Sequence, residues 1–214
     1  MLGQPLQLHL RDLSHALVEA WREEFDGLPN VTISRGDIFS ERDGTVSASD
    51  PIDIRADAII SPANSFGFMD GGIDAVYTYQ LGPQLQENLR ELLAQEYGGE
   101  LPVGQATLVP TGRPELPWCI SAPTMRVPMD VSDTVNAFLA FTAALRCVRA
   151  HNEATPLNPI RSLLTPGLGT AVGRMPPARC ARQMKEAWMR TIVGPPFIPR
   201  SLREAANDEL RLRE

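Results

Sequence analysis

The fold is predicted most directly by the segment IISPANSFGFMDGGIDAVY, residues 59–77. An apolar strand ends at Ser61, a polar loop carries Asn64, and the pair Gly71-Gly72 leads into a pattern of helical spacing. Glycines at such a turn let backbone N–H groups approach an anion, and the N-terminus of a helix adds a partial positive charge. Taken alone, the segment fits either a structural turn or a phosphate-binding loop.

A second segment of the same kind follows downstream. Residues 163–177, LLTPGLGTAVGRMPP, run from an apolar strand through a loop of small residues to two prolines that can open a helix. In α/β folds, ligands bind outside the carboxyl ends of the strands. Two such loops would form a cradle for a diphosphate that needs no basic side chain.

Strands and helices alternate along the rest of the chain. A first strand is predicted at Leu6–Leu10, and a helix follows Ser14 and ends near Phe25. Short apolar runs predict five further strands, at Val31–Ile33, Ala58–Ile60, Ala106–Val109, Cys119–Ala122 and Ser162–Leu164. Further helices are predicted at Gly72–Leu81, Pro83–Tyr97, Ser132–Asn152 and Pro176–Ile192. This order is typical of an α/β domain with a mixed or mainly parallel sheet and helices on both faces.

The length of 214 residues predicts one domain. We assign residues 1–193 to that domain and residues 194–214 to a C-terminal extension, which we expect to dock through its apolar side chains Phe197 and Ile198. The segment 41–56 is polar and rich in Asp and Ser, and it is predicted to be a surface loop.

The charge balance limits the partners. The chain has 20 basic and 26 acidic residues, a net charge of −6, and no basic run, which argues against binding to duplex nucleic acid. Lys185 is the only lysine, and a solvated helix residue is a simpler interpretation of it than a catalytic one. Three separated cysteines favour reduced thiols, and no apolar stretch approaches the roughly 18 residues of a bilayer span. We therefore expect a soluble, cytoplasmic protein that does not associate with membranes.

The two loops resemble those of the macro domain family, whose members bind ADP-ribose and in many cases hydrolyse ADP-ribosyl bonds. The family pattern asparagine-alanine-alanine-asparagine corresponds to residues 61–64, and its valine-aspartate pair corresponds to Ile73-Asp74. Upstream, residues 35–38 resemble the family's glycine-aspartate-isoleucine element, and residues 169–173 resemble its second phosphate loop. The resemblance covers residues 31–192 and implies a three-layer α/β/α macro-type fold with a mixed central sheet of about six strands.

The sequence also departs from the family pattern. Ser61 replaces the first asparagine, Met69 and Asp70 replace two of the glycines in the first loop, and Ala171 stands where glycine is usual. The resemblance therefore implies binding of ADP-ribose but leaves the substrate open.

The resemblance assigns a role to each site residue. Asp37 would accept a hydrogen bond from the adenine amino group, and the N–H of Ile38 would meet a ring nitrogen. Asn64 would hold a hydroxyl of the distal ribose, and Asp74 would orient or deprotonate water near the anomeric carbon. Backbone N–H groups of both loops would hold the diphosphate. The other ligand contacts implied are Ala63, Phe66, Gly71, Gly72, Ile73, Gly169, Thr170, Ala171, Val172, Gly173 and Arg174.

Structural alternatives stay open for several of these residues. Asp37 also fits a turn after glycine, and Asp74 also fits the first turn of a helix, where the macrodipole favours an acid. Asp70 fits either an N-cap or a second catalytic carboxylate, which would suit a cationic leaving group such as the guanidinium of ADP-ribosylated arginine. Phe66 could pack on the ribose or against the core, and Arg174 could face the diphosphate or the solvent.

The leading hypothesis is an ADP-ribosyl hydrolase. It would remove mono-ADP-ribose from a modified protein, with an arginine linkage among the candidates, from nucleic acid or from an acetyl ester, and it would need no metal or redox cofactor. The main alternative is a non-catalytic module that reads ADP-ribose, because Asp74 favours the enzyme whereas Ser61 and Ala171 favour a reader. A third hypothesis is an interaction protein that keeps only the fold.

Overall fold

A computed structural model describes residues 5–41 and 52–214. Its sheet contains six strands, β1 (Gln7–Asp12), β2 (Val31–Arg35), β3 (Ala58–Ser61), β4 (Thr107–Pro110), β5 (Trp118–Ser121) and β6 (Ser162–Thr165). The helices are α1 (His15–Phe25), α2 (Gly72–Leu81), α3 (Gln84–Glu96), α4 (Asn136–Ala154), α5 (Pro177–Trp188) with a π-helical continuation (Met189–Val193), and α6 (Leu202–Arg213). The predicted α/β class is confirmed, with every predicted strand at its expected place.

The sheet is mixed, and its strand order is β2-β1-β6-β3-β5-β4. All neighbouring strands are parallel except β4, which pairs antiparallel with β5. The N-terminal strand β1 therefore lies inside the sheet, between β2 and β6. The carboxyl ends of β1, β6, β3 and β5 follow one another along one edge, which is the edge where α/β folds bind ligands.

Two hydrophobic layers cover the two faces of the sheet. One face packs against α1, α4 and α5 through a cluster that includes Trp21, Phe141 and Trp188. The other packs against α2 and α3 through a cluster that includes Tyr77 and Leu89. Neighbouring residues of β3 alternate between these layers, as the twofold period of a strand requires. Helices thus cover both faces, as predicted. Among the described residues, no helix is long and apolar enough to cross a membrane.

The start of α4 differs from the prediction. Ser132 was expected to begin this helix, but the helix begins four residues later, at Asn136. The N–H of Ser132 donates to the carboxylate of Asp130 at 2.9 Å, and the hydroxyl of Thr134 donates to the carbonyl of Val131 at 2.7 Å. Short polar side chains that bond to nearby backbone groups compete with helix formation, and here they hold a turn instead.

The C-terminal segment forms a helix that was not predicted. Ser201 caps α6 by accepting a hydrogen bond from the N–H of Glu204, and Leu212 is 2% exposed. The expectation that Ile198 docks the segment is wrong, because this side chain is 76% exposed. Phe197 lies under the guanidinium of Arg190, 4.9 Å from its ring centre. The boundary at residue 193 stays a prediction, and residues 42–51 of the predicted surface loop lie outside the described residues.

Polar bonds complete the contact between α6 and the rest of the molecule. The guanidinium of Arg190 donates to both carboxylate oxygens of Asp208, at 2.7 and 2.8 Å. The side-chain amide of Gln183, on α5, donates to the carbonyl of Leu212 at 2.9 Å. The segment is therefore attached by a bidentate ion pair and one buried leucine rather than by its proline-rich beginning.

We expect Leu212→Ala to lower the free energy of unfolding by about 2 to 4 kcal/mol, because it leaves a cavity under α6. Leu210→Ala is the matched control on the same helix, since Leu210 is 62% exposed, and it should change stability by less than about 0.5 kcal/mol. Urea titration followed by circular dichroism measures both. Equal effects of the two substitutions would show that α6 is not packed through Leu212.

Candidate functional site

A cavity of about 600 Å³ opens at the carboxyl edge of the sheet. It is enclosed by the loop and helix start after β3, the loop after β6, the turn between β1 and α1, and residues that follow β5. A volume of this size suits a small organic ligand. Among the predicted site residues, those that line it are Ala63, Asn64, Asp70, Gly71, Gly72, Ile73, Asp74, Gly169, Thr170, Ala171, Val172 and Gly173.

Four predicted ligand contacts do not line the cavity. The carboxylate of Asp37 accepts the N–H of Phe39 at 2.9 Å, and Ile38 is buried in the apolar layer under α2 and α3. The ring of Phe66 lies 4.8 Å from the guanidinium of Arg126. Arg174 is exposed and lies 3.7 Å from a carboxylate oxygen of Asp130. Binding roles for Asp37, Ile38, Phe66 and Arg174 stay predictions.

A buried carboxylate lies at the junction of β3 and α2. The hydroxyl of Ser61, the last residue of β3, donates to Oδ1 of Asp74 at 2.5 Å. Burial raises the pKa of Asp74 to about 6, and the hydrogen bond from Ser61 opposes part of this rise. Asp74 is 8% exposed yet lines the cavity, so its one open side faces the ligand space. A carboxyl group with this pKa can exchange a proton near neutral pH.

The surroundings behind Asp74 are closed and rigid. Tyr77, one turn along α2, is fully buried, and its hydroxyl donates to the carbonyl of Ile60 at 2.9 Å. On β5, Ser121 pairs in register with Ser61, and its hydroxyl is buried without a partner in the described part of the chain. Helix α2 is thus attached to β3 by two polar side chains, which fixes the direction of the carboxylate.

The amide of Asn64 shapes the first loop. Its oxygen accepts the N–H groups of Phe66 and Phe68, at 3.0 and 3.4 Å, and its nitrogen donates to the carbonyl of Phe68 at 2.7 Å. Asn64 therefore closes a tight loop in addition to lining the cavity. A role in holding ribose depends on the donor and acceptor capacity that these bonds leave.

The loop presents Phe68 at the mouth of the cavity. Gly67 has φ +69°, and a Cβ there would lie 3.1 Å from side-chain atoms of Leu89, so glycine fits best. Phe68 is 44% exposed, lines the cavity and has the guanidinium of Arg90 at 4.4 Å. The sequence placed Phe66 and Phe68 in the same loop but could not show which of the two faces the ligand.

Asp70 does not cap α2. The N-cap is Gly71, and no side chain caps this helix. The interpretation of Asp70 as an N-cap is therefore wrong. Its side chain is exposed and lines the cavity. Because this carboxylate does not cap the helix and lines the cavity, it is available to a ligand. The hypothesis that Asp70 is a second functional carboxylate therefore stays open.

The second loop curves tightly around its own backbone. A Cβ on Gly173 would lie 2.6 Å from the carbonyl oxygen of Gly169, which itself has φ +72°. The N–H of Met175 donates to that same carbonyl at 2.9 Å. The N–H groups of residues 169–173 and of residues 72–74 have no acceptor within residues 5–41 and 52–214. Two sets of free backbone donors therefore belong to residues that line one cavity, as an anion site requires.

The turn between β1 and α1 contributes residues that sequence analysis missed. Asp12, Leu13 and Ser14 line the cavity. One oxygen of Asp12 accepts the N–H of Ser14 at 2.8 Å, and the other accepts the N–H of Gly167 at 3.0 Å. The strand and the cap were visible in the sequence. The signal that was missing is the strand order, which brings this turn beside the second loop.

The part of the cavity wall that the structure describes carries no side-chain cation. Within the described ranges its wall carries three carboxylates, those of Asp12, Asp70 and Asp74, and neither lysine nor arginine. Lys185 lies on α5 and its ammonium group is 3.4 Å from Glu24 of α1, so it is not at the site. No group of His, Cys, Asp and Glu among these residues could hold a metal ion. Attraction for an anionic ligand would therefore have to come from neutral donors of the wall, such as backbone N–H groups and the hydroxyl of Thr170.

Comparison with known proteins gives a consistent assignment. A family model described as Macro domain matches residues 60–184. An uncharacterized protein of Aeropyrum pernix is 32% identical over 155 residues, which cover 69% of this chain and 75% of that protein. The macrodomain of Mycobacterium tuberculosis DarG has a TM-score of 0.54 at 20% identity, over 72% of this chain and 95% of that one. Thermosipho africanus DarTG in complex with ADP-ribose has a TM-score of 0.51 at 14% identity, over 72% of this chain and 46% of that one.

The raised pKa of Asp74 makes stability depend on pH. Its pKa is about 6 in the folded protein and 3.8 without the fold. Because the pKa is higher in the folded protein, the neutral carboxyl group contributes to the free energy of unfolding. This contribution is complete below about pH 4 and is lost as the pH rises through 6. About two pKa units correspond to about 3 kcal/mol. We expect the free energy of unfolding of wild type to fall by up to this amount between about pH 4 and pH 7, relative to Asp74→Asn.

Urea titrations at several pH values measure this difference. Ser61→Ala is the matched control, because loss of its hydrogen bond should raise the pKa of Asp74 and move the fall in stability above pH 6. Parallel curves of stability against pH for wild type and Asp74→Asn would contradict the raised pKa.

Proposed function

The chain belongs to the macro domain family, and from this premise we propose that it binds ADP-ribose and hydrolyses an ADP-ribosyl linkage. The observation that carries the proposal is Asp74, a buried carboxylate held by Ser61 that opens only toward the cavity. Structural neighbours support the choice of ligand, since the Thermosipho protein is in complex with ADP-ribose.

Binding would depend on the two sets of free N–H groups. The diphosphate would lie between residues 72–74, at the start of α2, and residues 169–173 of the second loop. A helix N-terminus and a concave row of amides both favour a negative group. This arrangement suits an acidic protein, because it needs no lysine or arginine at the ligand.

Hydrolysis would use Asp74 as the general base. At neutral pH most of this carboxyl is ionised, given its pKa of about 6. Water would give a proton to Asp74 while the oxygen of the water attacks C1″ of the distal ribose. The bond from C1″ to the leaving group breaks and the leaving group takes the electron pair. The proton that water gave to Asp74 is then passed to the leaving group, directly or through solvent, which returns Asp74 to its ionised form. The negative charge of Asp74 would also stabilise an oxocarbenium-like transition state.

Asp70 would favour a cationic leaving group. It lines the same cavity, lies just before α2, and has no capping task. Charge-assisted bonds between a carboxylate and a guanidinium are strong and directional. An arginine linkage is therefore the conjugate that we place first among protein, nucleic-acid and ester substrates.

The test incubates purified protein with mono-ADP-ribosylated substrates carrying arginine, acidic, serine or nucleic-acid linkages, and follows free ADP-ribose by chromatography. We expect release from at least one of them, with a rate that rises with pH through about 6 as Asp74 ionises. Asp74→Asn should reduce this rate by about 100-fold or more, while binding of ADP-ribose changes little. Tight binding of ADP-ribose with no release from any conjugate would instead establish a reader.

Asp70→Asn tests the second carboxylate. It is expected to reduce release from the arginine conjugate by about 10-fold or more and to leave release from an ester nearly unchanged, because only the guanidinium is cationic. The substitution changes an exposed residue that caps no helix, so stability should be preserved. Equal rates for wild type and Asp70→Asn on every conjugate would remove Asp70 from the mechanism.

A further inference from the structure

We infer that Ser121 is a positioning residue for the carboxylate of Asp74 and that it acts through Ser61, to which its hydroxyl donates a hydrogen bond directly or through one water molecule. The inference rests on the proposed function, because Asp74 is the group that we propose as the general base. It assigns a task to a buried hydroxyl that the mechanism leaves unused.

Three hydroxyl side chains form a row across β3, β5 and β4 at the edge of the sheet that carries the cavity. Ser61 of β3 pairs in register with Ser121 of β5, and Ser121 pairs in turn with Thr107 of β4. The next row on the same face is apolar and consists of Ile59, Cys119 and Val109. This face of the sheet therefore changes from apolar to hydroxyl-bearing at the row whose first member holds Asp74.

The side chains of Ser61 and Ser121 lie on the same face of the sheet. Their neighbours Ile60 and Ile120 belong to the layer that packs against α1, α4 and α5. Alternation along a strand therefore puts both serines on the other face, where α2 packs. The N–H of Ala122 donates to the carbonyl of Ser61 at 3.0 Å, which fixes the register of the two strands at this point. Neighbouring strands lie about 4.8 Å apart, a spacing at which two hydroxyls can bond directly or share one water molecule.

The supply of protons gives the direction of the bond. Ser61 has one hydroxyl proton and donates it to Asp74 at 2.5 Å, so toward any other neighbour it can only accept. The hydroxyl of Ser121 is buried and has no partner within residues 5–41 and 52–214. A buried hydroxyl that stays unpaired costs free energy, so such groups nearly always have a partner or an ordered water. Donation from Ser121 to Ser61 satisfies the first hydroxyl and uses the acceptor capacity of the second.

The bond would be transmitted to the carboxylate. A hydroxyl that accepts one hydrogen bond becomes a stronger donor of another, so donation from Ser121 strengthens the bond from Ser61 to ionised Asp74. Stronger hydrogen bonding to the ionised form lowers the pKa of a carboxyl group. Ser121 would therefore oppose the rise in the pKa of Asp74 that burial causes. The result is a larger ionised fraction of the base at neutral pH.

The other ionisable groups around Asp74 do not supply this effect. Burial raises the pKa of Tyr77 on α2 and of Cys119 on β5, and the charge of Asp74 adds to both increases, so both side chains are neutral near pH 6. The hydroxyl of Tyr77 donates to a backbone carbonyl of β3 rather than to the carboxylate. The other two carboxylates of the described cavity wall, Asp12 and Asp70, have no proton to donate when they are ionised.

Titration of the Asp74 carboxyl, followed by carbon NMR on isotopically labelled protein, tests the inference without turnover. We expect the midpoint, about pH 6 in wild type, to rise by about one unit in Ser61→Ala and by about half a unit in Ser121→Ala. The double variant should have the midpoint of Ser61→Ala, because Ser121 acts only through Ser61. Ser121→Thr keeps a hydroxyl and should restore the wild-type midpoint.

Thr142→Val is the matched control. Thr142 lies on α4, at the opposite face of the sheet, and its hydroxyl is also buried with no partner in the described part of the chain. Its loss should leave the titration of Asp74 unchanged. An unchanged midpoint in Ser121→Ala overturns the inference, and so does a further shift when this change is added to Ser61→Ala. A higher urea midpoint for Ser121→Ala than for wild type at pH 7 would show that the hydroxyl is unpaired, and it overturns the inference as well.

The rate of ADP-ribose release separates this inference from the proposed function. The pH at which the rate is half-maximal should rise across the variants in the same order as the NMR midpoint. Wild-type protein that shows the NMR pattern but releases no ADP-ribose leaves the role of Ser121 standing and overturns the proposed hydrolysis. Release of ADP-ribose without the NMR pattern overturns the role of Ser121 alone.

Discussion

The hydrogen bond from Ser61 to Asp74 connects the central strand of the site to the helix that begins the cavity wall. Its two partners are thirteen residues apart, and the loop between them has to turn tightly to bring them together. Gly67 permits that turn and Asn64 closes it with its amide. The same geometry leaves the N–H groups at the start of α2, in the wall of the cavity, without an acceptor in the described part of the chain. The position of one buried carboxylate and the supply of backbone donors are therefore consequences of a single loop closure.

The site also shows how an acidic protein can accept an anion. Its wall carries three carboxylates and no cation among the described residues, so side-chain charge would repel a diphosphate. Because the pKa of Asp74 is raised, this carboxyl is neutral in acid solution and does not repel an anion there. The carboxylate of Asp12 accepts hydrogen bonds from two backbone N–H groups. Amides at two loops supply attraction without lysine or arginine. A net charge of −6 thus excludes partners that are bound by side-chain cations, not anions in general.

Local patterns in the sequence predicted the strands and five of the six α-helices, whereas the resemblance to the macro domain family supplied twelve residues of the cavity wall. Each of those features depends on neighbours within a few positions, such as the glycines before α2. Features set by distant contacts were out of reach of these patterns, whereas the N-cap of α2 and the start of α4 were missed for local reasons. Asp37 follows a strand and a glycine as expected, but only the strand order shows that β1 comes between it and the second loop. Leu212 is buried at a place where α6 meets residues far from it in sequence, such as Gln183, whose amide donates to the carbonyl of Leu212. Asp70 has the composition of a cap, and only the backbone shows that Gly71 occupies that position.

The interior position of β1 has a consequence for synthesis on the ribosome. Strand β1 is made before the other five strands of the described sheet. It pairs on one side with β2, about twenty residues later, but its other neighbour, β6, begins only at Ser162. Since β3 reaches β1 only through β6, the growing chain carries two separate half-sheets until β6 has been made. Open strand edges in such intermediates invite pairing with other chains. The order of strands that builds the ligand edge therefore also sets how long strand edges of the nascent chain stay unpaired, since only β6 joins the two halves.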